Sequence, residues 1–129
     1  MRKIYKLFPL LLLPIVIVFL GNSGGSIGGK TGSIGDGGTS CTQCHSGVPQ
    51  NATTWVTTNI PPTGYVPGQT YTITATGTHT GALKFGFELT AENSTGGKVG
   101  NFVITNATQT KLTNSNKAVT HTAGGNTPS

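Results

Sequence analysis

Acidic residues are nearly missing from this chain: Asp36, Glu88 and Glu92 are the only three among 129 residues. General acid–base catalysis draws on carboxylates and similar proton carriers, so few candidates exist for it. No paired-carboxylate, Ser-His-Asp or Cys-His-Asn arrangement stands out to suggest a hydrolase. Met1 is the only methionine, Trp55 the only tryptophan, and Cys41 and Cys44 the only cysteines. Charged residues of both signs make up 9% of the chain. The strong helix formers are correspondingly scarce, whereas Thr occurs 23 times and Gly 20 times. Thr suits the half-buried, pleated surface of a sheet. The composition predicts an all-β domain with glycine-rich turns.

The formal charge of +5 does not describe the body of the protein. Arg2, Lys3 and Lys6 precede an apolar run from Leu7 to Leu20, and small residues follow from Gly21 to Gly25. A basic stretch, an apolar stretch and small residues, in that order, are the layout of a secretory signal peptide, read here over residues 1–22. The run holds Pro9 and Pro14 and is 14 residues long, shorter than the roughly 20 a spanning helix needs. No stable membrane span is expected after cleavage. Without the leader, five lysines face three acids, a net of +2 with no basic stripe. Nucleic acid is not an expected partner.

Residues 23–50 are rich in Gly and Ser and have little to bury, so they read as a flexible or irregular lead-in. From residue 51 to 129 the texture changes to short runs of period two. Strands are predicted at 53–59, 69–76, 83–90, 99–106, 108–113 and 117–122. Tyr65-Val66-Pro67-Gly68 and Asn93-Ser94-Thr95-Gly96-Gly97 read as turns. Short strands at this spacing suggest an antiparallel sandwich. Its core is thin, and residues 124–129 are turn-like, which suggests a sandwich truncated at its C-terminal end.

The chemistry is concentrated in Cys41-Thr42-Gln43-Cys44-His45. In haem c, two thiols add across the two porphyrin vinyl groups, and the adjacent imidazole reaches the iron. C-x-x-C-H in an exported chain is therefore a haem-attachment signal, and it predicts one covalent haem c on Cys41 and Cys44 with His45 as the proximal ligand. Three alternatives remain beside it. A thioredoxin-type redox pair needs a βαβ setting and a helix N-terminus, neither of which is visible in the sequence. A structural disulfide between residues three apart closes a small, strained loop. Zinc needs further ligands, which only His79 and His121 could supply.

The sixth position on the iron has the same two candidates, because Met1 lies in the leader. His121 ends a predicted strand and is favoured over His79, which sits in the polar turn Thr78-His79-Thr80-Gly81. An open or water-ligated iron is the third option. Two histidines on the iron suit low-potential electron transfer, whereas an open position suits ligand sensing or peroxide chemistry.

Taken in order, Asn22-Ser23-Gly24-Gly25, Thr31-Gly32, Gly35-Asp36-Gly37, the segment Cys41 to Gly47, Tyr65 to Tyr71, Lys84 to Thr90 and Thr120-His121-Thr122 resemble a family of exported bacterial proteins. These carry a reelin-like (reeler) β-sandwich, the choice-of-anchor V domain. The resemblance covers essentially all of the chain beyond the leader. It implies a secreted Ig- or reelin-like sandwich with the C-x-x-C-H motif as a family feature, and it mildly favours His121. Members usually continue into further strands and a C-terminal surface-anchoring segment.

Two function classes follow. One is a periplasmic or surface mono-haem cytochrome that exchanges electrons with a redox partner protein. The other is a non-enzymatic module that binds a cell-surface component and uses Cys41 and Cys44 structurally or as a redox disulfide.

Overall fold

The computed structural model describes residues 24–46 and 53–127. The signal-peptide reading therefore lies outside the described residues. Five short strands occur among the described residues: β1 (Val56–Thr58), β2 (Ile73–Ala75), β3 (Glu88–Thr90), β4 (Thr110–Thr113) and β5 (Ala118–His121). All pairings are antiparallel; β1 pairs with β2, and the second sheet runs β3-β5-β4. Single turns of 3-10 helix occur at Ile34–Asp36, Cys41–Gln43 and Ala123–Gly125, and no α-helix is present among the described residues. The fold is all-β, as the Thr- and Gly-rich composition predicts.

β5 is the centre of the larger sheet because it is the strand whose side chains are covered. Ala118 and Thr120 are fully buried and His121 is 8% exposed. Thr120 is tolerated there because its hydroxyl is satisfied twice, donating to the Phe87 carbonyl at 2.6 Å and accepting from the Ser26 N–H at 2.9 Å. A buried hydroxyl without such partners would cost about 1–3 kcal/mol.

β4 and β5 form a hairpin through Asn114, Ser115 and Asn116, all at positive φ (52°, 53° and 65°). Two of the three are Asn, the non-glycine residue best suited to the left-handed region. Ser115 has no such advantage. Ser115→Gly should stabilise the domain by about 0.5–1 kcal/mol, read from chemical denaturation.

The predicted strands survive with shorter spans, and one does not form. Residues 99–106 pair into no ladder; only Glu92 and Lys98 make an isolated bridge beside them. Val103 is 77% exposed while Phe102 and Ile104 are half-buried, so the segment keeps one side against the protein without joining a ladder. Tyr65–Gly68 and Asn93–Gly97 are turns, closed by Gln69 N–H to the Val66 carbonyl (3.2 Å) and by Gly97 N–H to Asn93 Oδ1 (2.8 Å).

The largest departure from expectation is residues 24–40. They have no strand or α-helix, yet they are docked on the larger sheet. Gly25 is buried at φ 113°, and a Cβ there would run into the His121 carbonyl. Ser26 is clamped from both sides, its N–H held by Thr120 and its carbonyl accepting from the Thr113 hydroxyl at 3.1 Å. Polar anchoring orders a segment that has too little apolar surface to order itself.

Candidate functional site

All three acidic residues of the chain hold this segment in place. The Glu88 carboxylate accepts from the Ser26 hydroxyl, from Gly29 N–H at 2.8 Å and from Lys30 N–H at 3.3 Å. Glu92 accepts from the Ser33 hydroxyl and from Gly35 N–H at 3.0 Å. Asp36, within the segment, accepts from Thr31 N–H at 3.2 Å. Lys98 then joins the segment to the sheet side, its ammonium 2.7 Å from Asp36 and 2.5 Å from Glu92.

These charges shift one another. Burial pushes the Asp36 carboxyl up, but the Lys98 ammonium and the Thr31 hydroxyl and N–H outweigh it and hold Asp36 below its ordinary value. Lys98, Ser33 and the Gly35 N–H hold Glu92 below its own. Burial pushes Lys98 down, and its two carboxylate partners more than reverse this, leaving it raised.

The anchored segment turns back on itself and presents the cysteine motif. Gly32 N–H donates to the Thr39 carbonyl at 2.8 Å, and Thr31 bridges Ser40. Ser40 caps a single turn over Cys41–Gln43, its side chain accepting from Thr42 N–H. Cys44 N–H and His45 N–H both donate to the Cys41 carbonyl, at 3.2 and 3.0 Å. The motif is thus wound into one short turn, with both thiols free and exposed. The Lys30 ammonium donates to Gln43 Oε1 and ties the turn back to the anchored segment.

This turn forms one wall of a cavity of about 490 Å³, within the 300–1,000 Å³ of ordinary small-molecule and cofactor sites. Cys41, Cys44 and His45 line it together with Phe85, Phe87 and His121. Phe85 also stacks edge-on against Trp55 (ring centroids 6.0 Å apart, 86° between planes), which supports the aromatic wall from the β1–β2 side. His79 lies elsewhere, in an exposed turn where its Nδ1 is 3.0 Å from the Thr80 carbonyl oxygen.

The position of His121 follows from the end of a ladder. In the β3–β5 register, Glu88 faces Thr120, so Phe87 would face His121 next. The backbone pair does not form. Phe87 N–H instead donates to His121 Nδ1 at 3.1 Å, and the Phe87 carbonyl accepts from the Thr120 hydroxyl. Gly86 leaves the space: a Cβ there would lie 2.7 Å from His121 Cε1. The sequence singled out Cys41, Cys44, His45 and His121 but not Phe85, Phe87 and Gly86. Their signal was the Lys84 to Thr90 string, which reads as ordinary strand alternation.

Among the described residues no three His, Cys, Asp or Glu side chains converge as a metal-binding group. A zinc ion would need such a group. Haem would not, since the porphyrin supplies four nitrogens and asks the chain for an imidazole and two thioethers. The residues present fit that demand: two accessible thiols and an adjacent imidazole on one turn, facing an aromatic-walled cavity.

An antiparallel β-domain with a thiol- and imidazole-lined cavity at its edge is the class this architecture defines. The chain belongs to the Reeler domain family, whose domain matches residues 39–127. That match begins just before the Cys41–His45 turn and runs through His121, so these parts of the cavity wall belong to the domain, while Gly25, Ser26, Ile27 and Lys30 come from the segment before it. Reeler domains are typically extracellular, and among the described residues no helix is long and apolar enough to cross a membrane. No curated protein matches the chain, and no solved structure does.

Proposed function

We propose that this is an exported haem c protein, of the bacterial choice-of-anchor V type, that transfers electrons to a redox partner protein or a cell-surface component. The observation that carries the reading is the facing of the C-x-x-C-H turn onto a cavity walled by Phe85 and Phe87. Cys41 and Cys44 would hold the group through thioethers. His45 would supply an imidazole to the iron, and Lys30 and Lys84 place positive charge on the cavity wall. When bound, the haem supplies a one-electron couple. Phe85 and Phe87 would offer the group apolar surface.

Intact mass of the exported protein, made with a cytochrome c maturation system, tests this reading. The expected result is the mature chain plus one haem, with a Soret band and a haem stain that survives denaturing electrophoresis. A colourless product at the mass of the bare chain would sink the proposal.

One observation favours a second reading. Both thiols are exposed and on the same turn, so Cys41 and Cys44 would also suit a redox disulfide in a surface-binding module. A mass two hydrogens below the bare dithiol chain would identify it.

A further inference from the structure

The hydrogen bonds around His121 specify which of its ring nitrogens carries the proton. Phe87 N–H points at Nδ1 from 3.1 Å, so in the neutral ring Nδ1 must be the bare acceptor and Nε2 the protonated nitrogen. A proton on Nδ1 would collide with that N–H and leave it unpaired next to the buried ring. The other atoms near Nδ1 do not reverse the assignment. The Phe87 carbonyl oxygen and the Thr120 hydroxyl oxygen are each 3.4 Å away, and these two already bond each other at 2.6 Å. Among the described residues Nε2 makes no hydrogen bond, and since none of their buried side-chain polar atoms lacks a partner, Nε2 is not fully buried; His121 itself lines the cavity.

This is the reverse of the arrangement a metal-ligating histidine adopts. Such a ring donates its other N–H to a carbonyl or carboxylate, which fixes a bare nitrogen toward the metal. Here the backbone donates to the ring and fixes an N–H toward the cavity. We infer that His121 serves the cavity as a hydrogen-bond donor through Nε2–H, leaving the sixth position on the iron to a small exogenous ligand with an acceptor atom. The inference rests on the haem reading for the identity of the iron, but not for the tautomer. It gives the C-x-x-C-H turn and β5 different tasks: His45 would hold the metal, and His121 would offer an N–H to what binds in the cavity. Gly86 is the positioning residue that makes room for the ring.

Two measurements on the full chain test it separately from the haem proposal. First, the protein is exported without haem-attachment machinery, and ring-nitrogen NMR of histidine-labelled chain is recorded in mildly alkaline buffer. The His121 ring should show a protonated Nε2 and a bare Nδ1; the opposite tautomer overturns the inference whether or not haem ever attaches. Second, the haem-loaded, reduced protein is mixed with carbon monoxide as the probe. The wild type should be high-spin before mixing and bind the gas without a slow ligand-displacement phase. His121→Phe should leave the spin state unchanged and move the carbon monoxide stretch to higher wavenumber. A low-spin wild type that becomes high-spin in His121→Phe, or an unmoved stretch, overturns the inference while leaving a covalent haem in place. Should His121→Phe fail to fold, the tautomer measurement on the wild-type chain still decides.

Discussion

Cys41→Ser/Cys44→Ser, exported alongside the maturation system, yields a chain at its bare mature mass that gives no haem stain, against one haem per chain in the wild type. The expected loss is complete because a thioether is the only bond that survives denaturing electrophoresis, and no other cysteine exists to form one. The variant is informative because the two thiols hold almost nothing else. Both are exposed, and among the described residues only Cys41 Sγ makes a hydrogen bond, a long one of 3.7 Å to the Lys30 carbonyl. The turn is held by backbone bonds to the Cys41 carbonyl and by the Ser40 cap, which Ser at positions 41 and 44 preserves. Haem-free melting should therefore stay within about 0.5 kcal/mol of haem-free wild type. Haem stain retained by the double variant would mean attachment elsewhere. A melting point that drops sharply would mean that the pair is structural.

Much of this protein is legible from residue type and spacing alone. Thr and Gly abundance, with alternation around Ile73, Leu89 and Leu112, points to antiparallel strands. The C-x-x-C-H string points to the cavity wall. What stayed hidden has one physical character: order made by polar contacts between segments distant in sequence. Residues 24–40 read as a loose lead-in because sequence reading weighs apolar surface, and this segment has little. It is ordered instead by Glu88, Glu92 and Lys98, some 60 residues away. Likewise, Phe87 and His121 look like ordinary strand neighbours, since nothing local announces that an imidazole will take the place of a backbone acceptor. Residues 99–106 err in the other direction. Their alternation is genuine, but alternation shows only that a strand could be half-buried, and among the described residues no partner strand pairs with them.

The same polar anchoring makes the cavity sensitive to pH, and the direction follows from the three shifted groups. Asp36 and Glu92 both sit below their ordinary values in the folded state. A carboxylate depressed by folding adds stability that is complete above about pH 5 and is lost as the pH falls through its folded value. Lys98 is raised, so its share is complete below its ordinary value and is lost only as the pH rises through its higher folded one. The anchor therefore weakens at both extremes, with the acid side nearer to physiological conditions. The side chains of Asp36, Glu92 and Lys98 are 2%, 9% and 16% exposed, yet they lie at the edge of a thin fold where water screens them, so the effect is moderate. Lys98→Met should lower the melting temperature at pH 7 by roughly 5 °C. It should also flatten the acid branch of the melting curve between pH 7 and pH 3, because the carboxylates lose the partner that depressed them. Equal acid slopes in the two proteins would show that Ser33, Thr31 and the backbone donors hold the carboxylates without Lys98. Since the anchored segment leads directly into the Cys41–His45 turn, acid should loosen the cavity wall before it melts the β3-β5-β4 sheet. Relative to their intrinsic exchange rates, the Thr31 and Gly35 amides, which donate to Asp36 and Glu92, should therefore lose protection at a higher pH than the Val119 amide.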